Sequence, residues 1–215
     1  IATMPDGEPG IEWGLIGPVN EGGTPIKMIA DLIIEAGKDE YIIVDNKSGQ
    51  RVPQTVHQLA LYATVMETNI GIRPYAGAYY MTRTAALTAP EALHPWGVTY
   101  WTHIIEKVRA AMEVGAFLPN PSWMCSGCSF RAKCAAFGGG QASLDDPILW
   151  GKIEAIPLTE HLSWSQINSF LSCGKAYQFS RLLQYPEQPS VWLAAGSAIH
   201  TAIEQINRTH WEEQQ

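Results

Sequence analysis

The sequence predicts an α/β domain in which a mixed β-sheet is flanked by helices. Three observations carry this. Two short apolar runs, Ile26–Ile34 and Tyr41–Val44, read as strands joined by the polar turn Glu35–Glu40. A helical period follows over Gln54–Thr68, with Val56, Leu59, Ala60, Ala63 and Val65–Met66 on its apolar positions. A Tyr-rich run, Tyr75–Thr82, then returns to a strand pattern. Strands interleaved with amphipathic helices bury their apolar faces by layering helices on a sheet.

Composition bounds the rest. The chain has 215 residues, 46% hydrophobic and 16% charged, enough for one domain with an elaboration and its own core. The net charge of -7 and pI of about 5.3 argue against a broadly basic coat for nucleic acid. They leave room for a site whose sign is set by bound metal ions. No apolar run is long enough to span a membrane. The opening residues lack the basic-then-apolar pattern of a secretory leader, and a cytoplasmic, intracellular protein is expected. Ile1 in place of Met is expected to be an internal start.

Residues 1–25 are rich in Gly and Pro and predict loop, with a short strand around Ile11–Ile16. In the Glu35–Glu40 turn, Gly37 is expected to supply a positive φ. Pro53 sits just before the Gln54–Thr68 helix, a position proline tolerates. Gly97 to Gly115 predicts an amphipathic helix stopped by glycine, after which Pro119 and Pro121 open a cysteine-bearing segment that runs to Phe137. Gly138–Gly140 marks a change of texture and reads as a flexible joint between a block 1–137 and a block 141–215. In the second block Ser163 is placed to cap a helix over Trp164–Ser172, with Gln166 completing a capping box. A last helix is expected from Val191 to Glu213, with Ala195, Ile199, Ala202, Ile203 and Ile206 turned inward.

The chemistry concentrates in the first strand pair. Asp31 lies inside one apolar run and Asp45 ends the next, with Lys47 two residues on and therefore on the same side of an extended strand. Paired carboxylates at neighbouring strand tips repel and lose water, so they are a poor structural device. They suit a hard divalent cation, with the lysine beside it to position water or meet a developing oxyanion. Asp-x-Lys alone occurs by chance, and it is the combination that points to a site. Gln58 and Tyr62 are four residues apart, share one helical face, and follow within one loop. His200 lies on an otherwise apolar helix and becomes a ligand only where that helix packs over the two carboxylates.

Cys125, Cys128 and Cys134 form a Cys-x-x-Cys with a third cysteine, and Cys173 is the one remaining thiol. A disulfide framework does not suit a chain of this size and expected compartment. A three-plus-one set favours an iron–sulfur cluster, with a four-cysteine zinc site as the alternative.

Taken together these motifs resemble the PD-(D/E)XK nuclease superfamily, in its RecB-like and AddB-like iron–sulfur exonuclease branch. The resemblance rests on Ala30-Asp31, on Val44-Asp45-Asn46-Lys47, on Gln58-Leu59-Ala60-Leu61-Tyr62, on Gly196-Ser197-Ala198-Ile199-His200, on Ser163–Cys173 and on the cysteine trio. Relatives of that branch include CRISPR-associated and phage exonucleases. Ala30 departs from the usual Pro before the first Asp. The order departs as well: the family places the lone cysteine and the His helix first, whereas here they follow the Asp strands, as in a circular permutation joined at Gly138–Gly140.

The resemblance implies a restriction-endonuclease-like fold and a DNA exonuclease acting on single strands or DNA ends in recombination, repair or replication. It implies magnesium or manganese held by Asp31, Asp45, His200 and the backbone carbonyl of Asn46, with Lys47, Gln58 and Tyr62 completing the catalytic set. It implies a structural 4Fe-4S cluster on Cys125, Cys128, Cys134 and Cys173, or zinc in its place, with Arg131 and Lys133 near enough to touch DNA. Tyr79, Tyr80, Trp123 and Trp164 are candidates to stack bases. DNA is the expected partner, with a homo-oligomer or a helicase or recombination partner also compatible. The competing reading is a catalytically silent iron–sulfur or zinc module that binds nucleic acid or protein.

Overall fold

The computed structural model describes residues 1–137, 159–187 and 191–215. The glycine joint expected at 138–140, and most of the loop expected over 141–161, lie outside the described residues. The chain forms two compact units, one of Ile1–Ile104, His161–Trp164 and Ser190–Gln215, the other of Ile105–Glu160 and Ser165–Pro189.

The first unit is built on a mixed sheet. Strands β1 (Ile11–Pro18), β2 (Pro25–Gly37), β3 (Glu40–Lys47) and β4 (Ala76–Met81) are neighbours in that order, continued by the two-residue strand β5 (Ala86–Leu87). The short β6 (Glu91–Ala92) also pairs with β4, and β7 (Leu162–Ser163) with β2. The first three strands pair antiparallel, whereas β3 and β4 pair parallel. A parallel pair needs a crossover, and helix α1 (His57–Ile70) supplies it.

Strand β2 joins its two long neighbours by successive halves, with β7 pairing it as well at Ile26–Lys27. Along Pro25–Leu32 one edge pairs with β1, while from Leu32 to Gly37 the other edge pairs with β3. Leu32, facing Ile11 on one side and Val44 on the other, is the crossing point, one residue after Asp31. The β2–β3 connection corrects the sequence expectation. Strand pairing extends to Gly37 and Glu40, and the residue with a positive φ is Asp39, at 60°, rather than Gly37. One left-handed residue beside the register shift at Glu35–Gly37 closes this turn, and aspartate tolerates that backbone.

Helix α1 starts at His57, three residues later than the apolar pattern predicts. The Thr55 carbonyl just before it is taken by the Tyr79 hydroxyl at 2.7 Å. The helix ends where Gly71 adopts a left-handed φ of 71° and returns its N–H to Glu67. Every residue from Leu59 to Met66 is buried. A helix covered on all sides belongs to the core rather than to its surface, so the site residues it carries are rigidly held.

Helix α2 (Val98–Glu113) follows, with Trp101, Ile105, Val108 and Met112 buried along one face. The last helix of the chain, labelled α5 below, spans Val191–Glu212. Its orientation overturns the expected inner face: Ala195 and Ala202 are exposed and Ile206 is 67% exposed, while Ile199 and Ile203 are half-buried. Gly196 is buried instead, and His200, Glu204 and Arg208 share its side of the helix. The helix leans on β1, and Arg208 reaches the Ile11 carbonyl at 3.4 Å. Polar partners on the sheet set its rotation, which apolar periodicity does not encode.

In the second unit, α3 (Trp164–Ser172) leads into α4 (Gly174–Tyr177) and a π-helical turn, Gln178–Leu182. Phe117 stacks on Tyr177 with 6.3 Å between ring centroids, and Phe170 meets Tyr177 edge-on at 5.7 Å. Gly174 is required here, because a Cβ would stand 3.1 Å from the Leu118 backbone N and O. Three 3-10 turns, Trp123–Gly127, Arg131–Lys133 and Ala135–Phe137, carry the cysteine segment. No helix among the described residues is long and apolar enough to cross a membrane.

Candidate active site and cysteine pocket

Asp31 and Asp45 stand where β2 and β3 part. The β2–β3 ladder stops at the Leu32–Val44 pair. Beyond it, the Asn46 N–H turns to the Asp31 carboxylate, donating to Oδ2 at 2.7 Å. The amide and carbonyl of one strand residue point to the same edge, so the Asn46 carbonyl also faces β2. Asp45 and Asn46 are both buried, at 4% and 5% exposure.

Lys47, Asp45 and Gln58 form a closed triangle. The Lys47 ammonium lies 2.6 Å from Asp45 Oδ2 and donates to Gln58 Oε1 at 3.2 Å. Gln58 Nε2 in turn donates to Asp45 Oδ1 at 2.9 Å and to the Tyr62 hydroxyl at 3.3 Å. The structure thus brings Asp45, Lys47, Gln58 and Tyr62 together. Asp45 Oδ2 is buried and, despite the close ammonium, accepts no aligned hydrogen bond among the described residues. Burial, chiefly, raises the Tyr62 phenol to about 12, so it stays a neutral donor.

His200 Nδ1 lies 3.5 Å from Asp31 Oδ2. The buried Gly196 makes this approach feasible: a Cβ there would meet Ser48 Oγ at 3.0 Å. The third member of this cluster is Glu12, absent from the sequence expectation. Glu12, Asp31 and His200 each bring one ligand atom within 4.8 Å of the other two. Glu12 sits in β1 opposite Asp31, between the register pairs Ile11–Leu32 and Trp13–Ala30. Its φ of 47° is left-handed, an uncommon state for a glutamate and one often retained at functional sites. The available signal was a lone charge in the predicted strand Ile11–Ile16, but its value depends on the β1–β2 register.

The electrostatics fit a missing positive charge. Burial, then the Asp45 charge, raises the Asp31 carboxyl to about 6, against a smaller opposing pull from the Asn46 amide and His200. Burial, then Asp31, raises Glu12 to about 7. Three acids, Glu12, Asp31 and Asp45, lie close enough that Asp45 raises Asp31 and Asp31 raises Glu12, which suits a hard divalent cation, and an imidazole is compatible with manganese as well. The geometry therefore provides a candidate acidic metal site.

Two of the proposed base-stacking aromatics are placed elsewhere. Tyr79 is 2% exposed, with the Lys47 ammonium 5.6 Å from its ring centre. Trp164 packs edge-on against Trp101 at 6.1 Å. Tyr80 is half-buried, and Trp123 is 79% exposed.

All four cysteines line one small cavity of about 30 Å³, together with Pro119, Phe130 and Arg131 among others. Each thiol is free and half-buried. Backbone amides address two sulfurs: Asn120 N–H donates to Cys173 Sγ at 3.4 Å, and Ser122 N–H to Cys125 Sγ at 3.3 Å. Arg131 lies over the Phe137 ring at 5.0 Å and Lys133 over Tyr185 at 4.4 Å, both exposed.

Comparison with curated proteins and with solved structures gives no match. The sequence model of one family does match, over residues 9–135 and 161–215, which is well over half of the chain and includes every site residue named above. Its signature chemistry, paired acids and a lysine at neighbouring strand ends, is the arrangement found at Asp31, Asp45 and Lys47. The chain belongs to the PD-(D/E)XK nuclease superfamily.

Proposed function

We propose that the chain is a divalent-metal-dependent DNA exonuclease that hydrolyses phosphodiester bonds of single strands or DNA ends. The observation that carries this reading is the closed Asp45–Lys47–Gln58 triangle next to the Glu12–Asp31–His200 cluster. A silent module has no use for a lysine set on a buried carboxylate beside three further metal-type ligands, because assembling them opposes folding. Asp31, Asp45, His200 and the Asn46 carbonyl would hold magnesium or manganese, with Glu12 added by the geometry. Such an ion, when bound, supplies Lewis acidity and lowers the pKa of its water. Lys47 counters charge that develops on the attacked phosphate. Gln58 fixes the Lys47 ammonium and the Asp45 carboxylate at once, and Tyr62 fixes Gln58.

The cysteine pocket is read as the seat of a structural 4Fe-4S cluster. Its support is a pocket that all four cysteines line and amide donors to two of the sulfurs. Arg131 and Lys133 at its exposed edge would touch DNA backbone. The reversed block order is read as a circular permutation of the RecB-like arrangement. Its basis is the order of residues in the chain, with Cys173 and His200 after Asp31 and Asp45.

The test is degradation of linear and of circular single-stranded DNA in magnesium or manganese. Linear DNA should be consumed and circles spared. Asp45→Ala and Lys47→Ala should each lower the rate by about 100-fold or more with the fold intact by circular dichroism. Variants that cut as well as the parent would refute the site, and rapid cutting of circles would refute the exonuclease assignment. Iron and sulfide analysis of the parent and of Cys173→Ala decides the cluster. Zinc without iron would select the alternative.

A further inference from the structure

We infer that His57, Trp96 and Tyr100 form a stacking platform for an unpaired base at the edge of the active site, an inference that rests on the nuclease reading above. His57 is the hub. Its ring centre lies 5.2 Å from that of Trp96 and 5.9 Å from those of both Tyr100 and Trp101. Tyr100 and Trp101 meet edge-to-face at 4.9 Å. Exposure grades across the group: Trp101 is buried at 1%, His57 and Trp96 are half-buried, and Tyr100 is 37% exposed.

That gradient separates the platform from ordinary core. Trp101 already fills the interior, so the three outer rings add aromatic surface that water reaches. The group is also held in place. The Thr64 hydroxyl, on α1, donates to the Trp96 carbonyl at 3.3 Å, and the Trp101 N–H to the Gly97 carbonyl at 3.2 Å. Pre-set aromatic rings bind planar ligands without an ordering penalty.

Position identifies the ligand. His57 immediately precedes Gln58, whose amide touches both Asp45 and Lys47. The two side chains diverge from the first turn of α1, so the rings and the triangle share that end of the helix, and a strand with its phosphate at the triangle would offer a neighbouring base to the rings. Charge points the same way. With a net charge of -7 the chain lacks a broad basic surface to hold phosphates. Stacking is a salt-insensitive contact that any base can make. Duplex bases are already stacked on each other, so the platform selects unpaired ones.

The probe is a short fluorescent oligothymidine and the same strand with abasic sites near its end, bound in calcium to suppress cleavage. The parent should bind the intact strand about tenfold more tightly. Trp96→Ala and Tyr100→Ala should bring the two strands to within about twofold by weakening the intact one alone, while Trp96→Phe should keep most of the preference. Equal binding of both strands by the parent, or an undiminished preference in the alanine variants, overturns the platform and leaves the nuclease reading standing. Binding of neither strand overturns both.

Discussion

Glu12 stands across the β1–β2 ladder from Asp31, and each brings a carboxylate oxygen within 4.8 Å of the other. Like charges placed opposite on paired strands destabilise the pair. The arrangement therefore opposes folding and favours a bound ion. Glu12→Gln should raise the melting temperature of the metal-free protein by a few degrees, because it removes one of the two charges. The same variant should weaken manganese binding by at least about tenfold in calorimetric titration. A metal affinity equal to the parent's would remove Glu12 from the ligand set.

The pH dependence follows from the same pair. Glu12 and Asp31 titrate near 7 and 6 in the folded protein, above their ordinary values of 4.5 and 3.8. Groups with raised folded pKa values favour the fold while protonated, and that contribution is lost as pH rises through about 6 to 7. The metal-free parent should therefore lose melting temperature between about pH 5 and pH 8 relative to Glu12→Gln. Saturating manganese should abolish or invert the difference, since the cation binds the ionised acids. Parallel melting curves for parent and variant across this range would exclude the assignment.

Gln58 is a positioning residue, and its effect should appear in turnover. Gln58→Leu frees Lys47 and Asp45 from their shared amide, and kcat should fall by about 10- to 100-fold with KM little changed. Tyr62→Phe, which removes only the hydroxyl 3.3 Å from Gln58, should cost less. A Gln58→Leu effect confined to KM would place Gln58 on the substrate rather than on Lys47.

Gly196 controls how closely α5 approaches the loop after Lys47. Gly196→Ala puts a methyl 3.0 Å from Ser48 Oγ. Alanine favours a helix by about 1 kcal/mol over glycine, so stability should hold or rise. Metal affinity should nonetheless drop, because His200 is pushed from Asp31. Adding Ser48→Ala should restore it, which a general defect in the helix would not allow. A double variant no better than the single one would disprove the clearance argument.

The sequence made the local elements legible and left their mutual placement hidden. Asp45, Lys47, Gln58 and Tyr62 are close in the chain, so strand alternation and helical spacing were enough to group them. Glu12 was invisible for the opposite reason: its partner Asp31 is brought opposite by a register that only the paired strands define. The α5 helix was misread on its inner face because Gly196 and three polar residues, rather than Ile206, meet the rest of its unit. The platform at His57 joins residues about forty apart through the packing of α1 against the turn before α2. Tyr79, a candidate for base stacking by residue type alone, is 2% exposed, because the crossover brings the Thr55 carbonyl to its hydroxyl.

The closed triangle of Asp45, Lys47 and Gln58 bears on how fast the protein can be loaded. Lys47 and Gln58 hold the Asp45 carboxylate in one orientation, with the Lys47 ammonium against Oδ2. An ion taken up at Asp45 would meet a carboxylate already oriented and would share it with that ammonium, so its pace of entry would depend on how readily it sheds its own water. Magnesium dehydrates reluctantly, so in a mixture of ions the occupant at early times reflects hydration kinetics, and the occupant at late times reflects affinity.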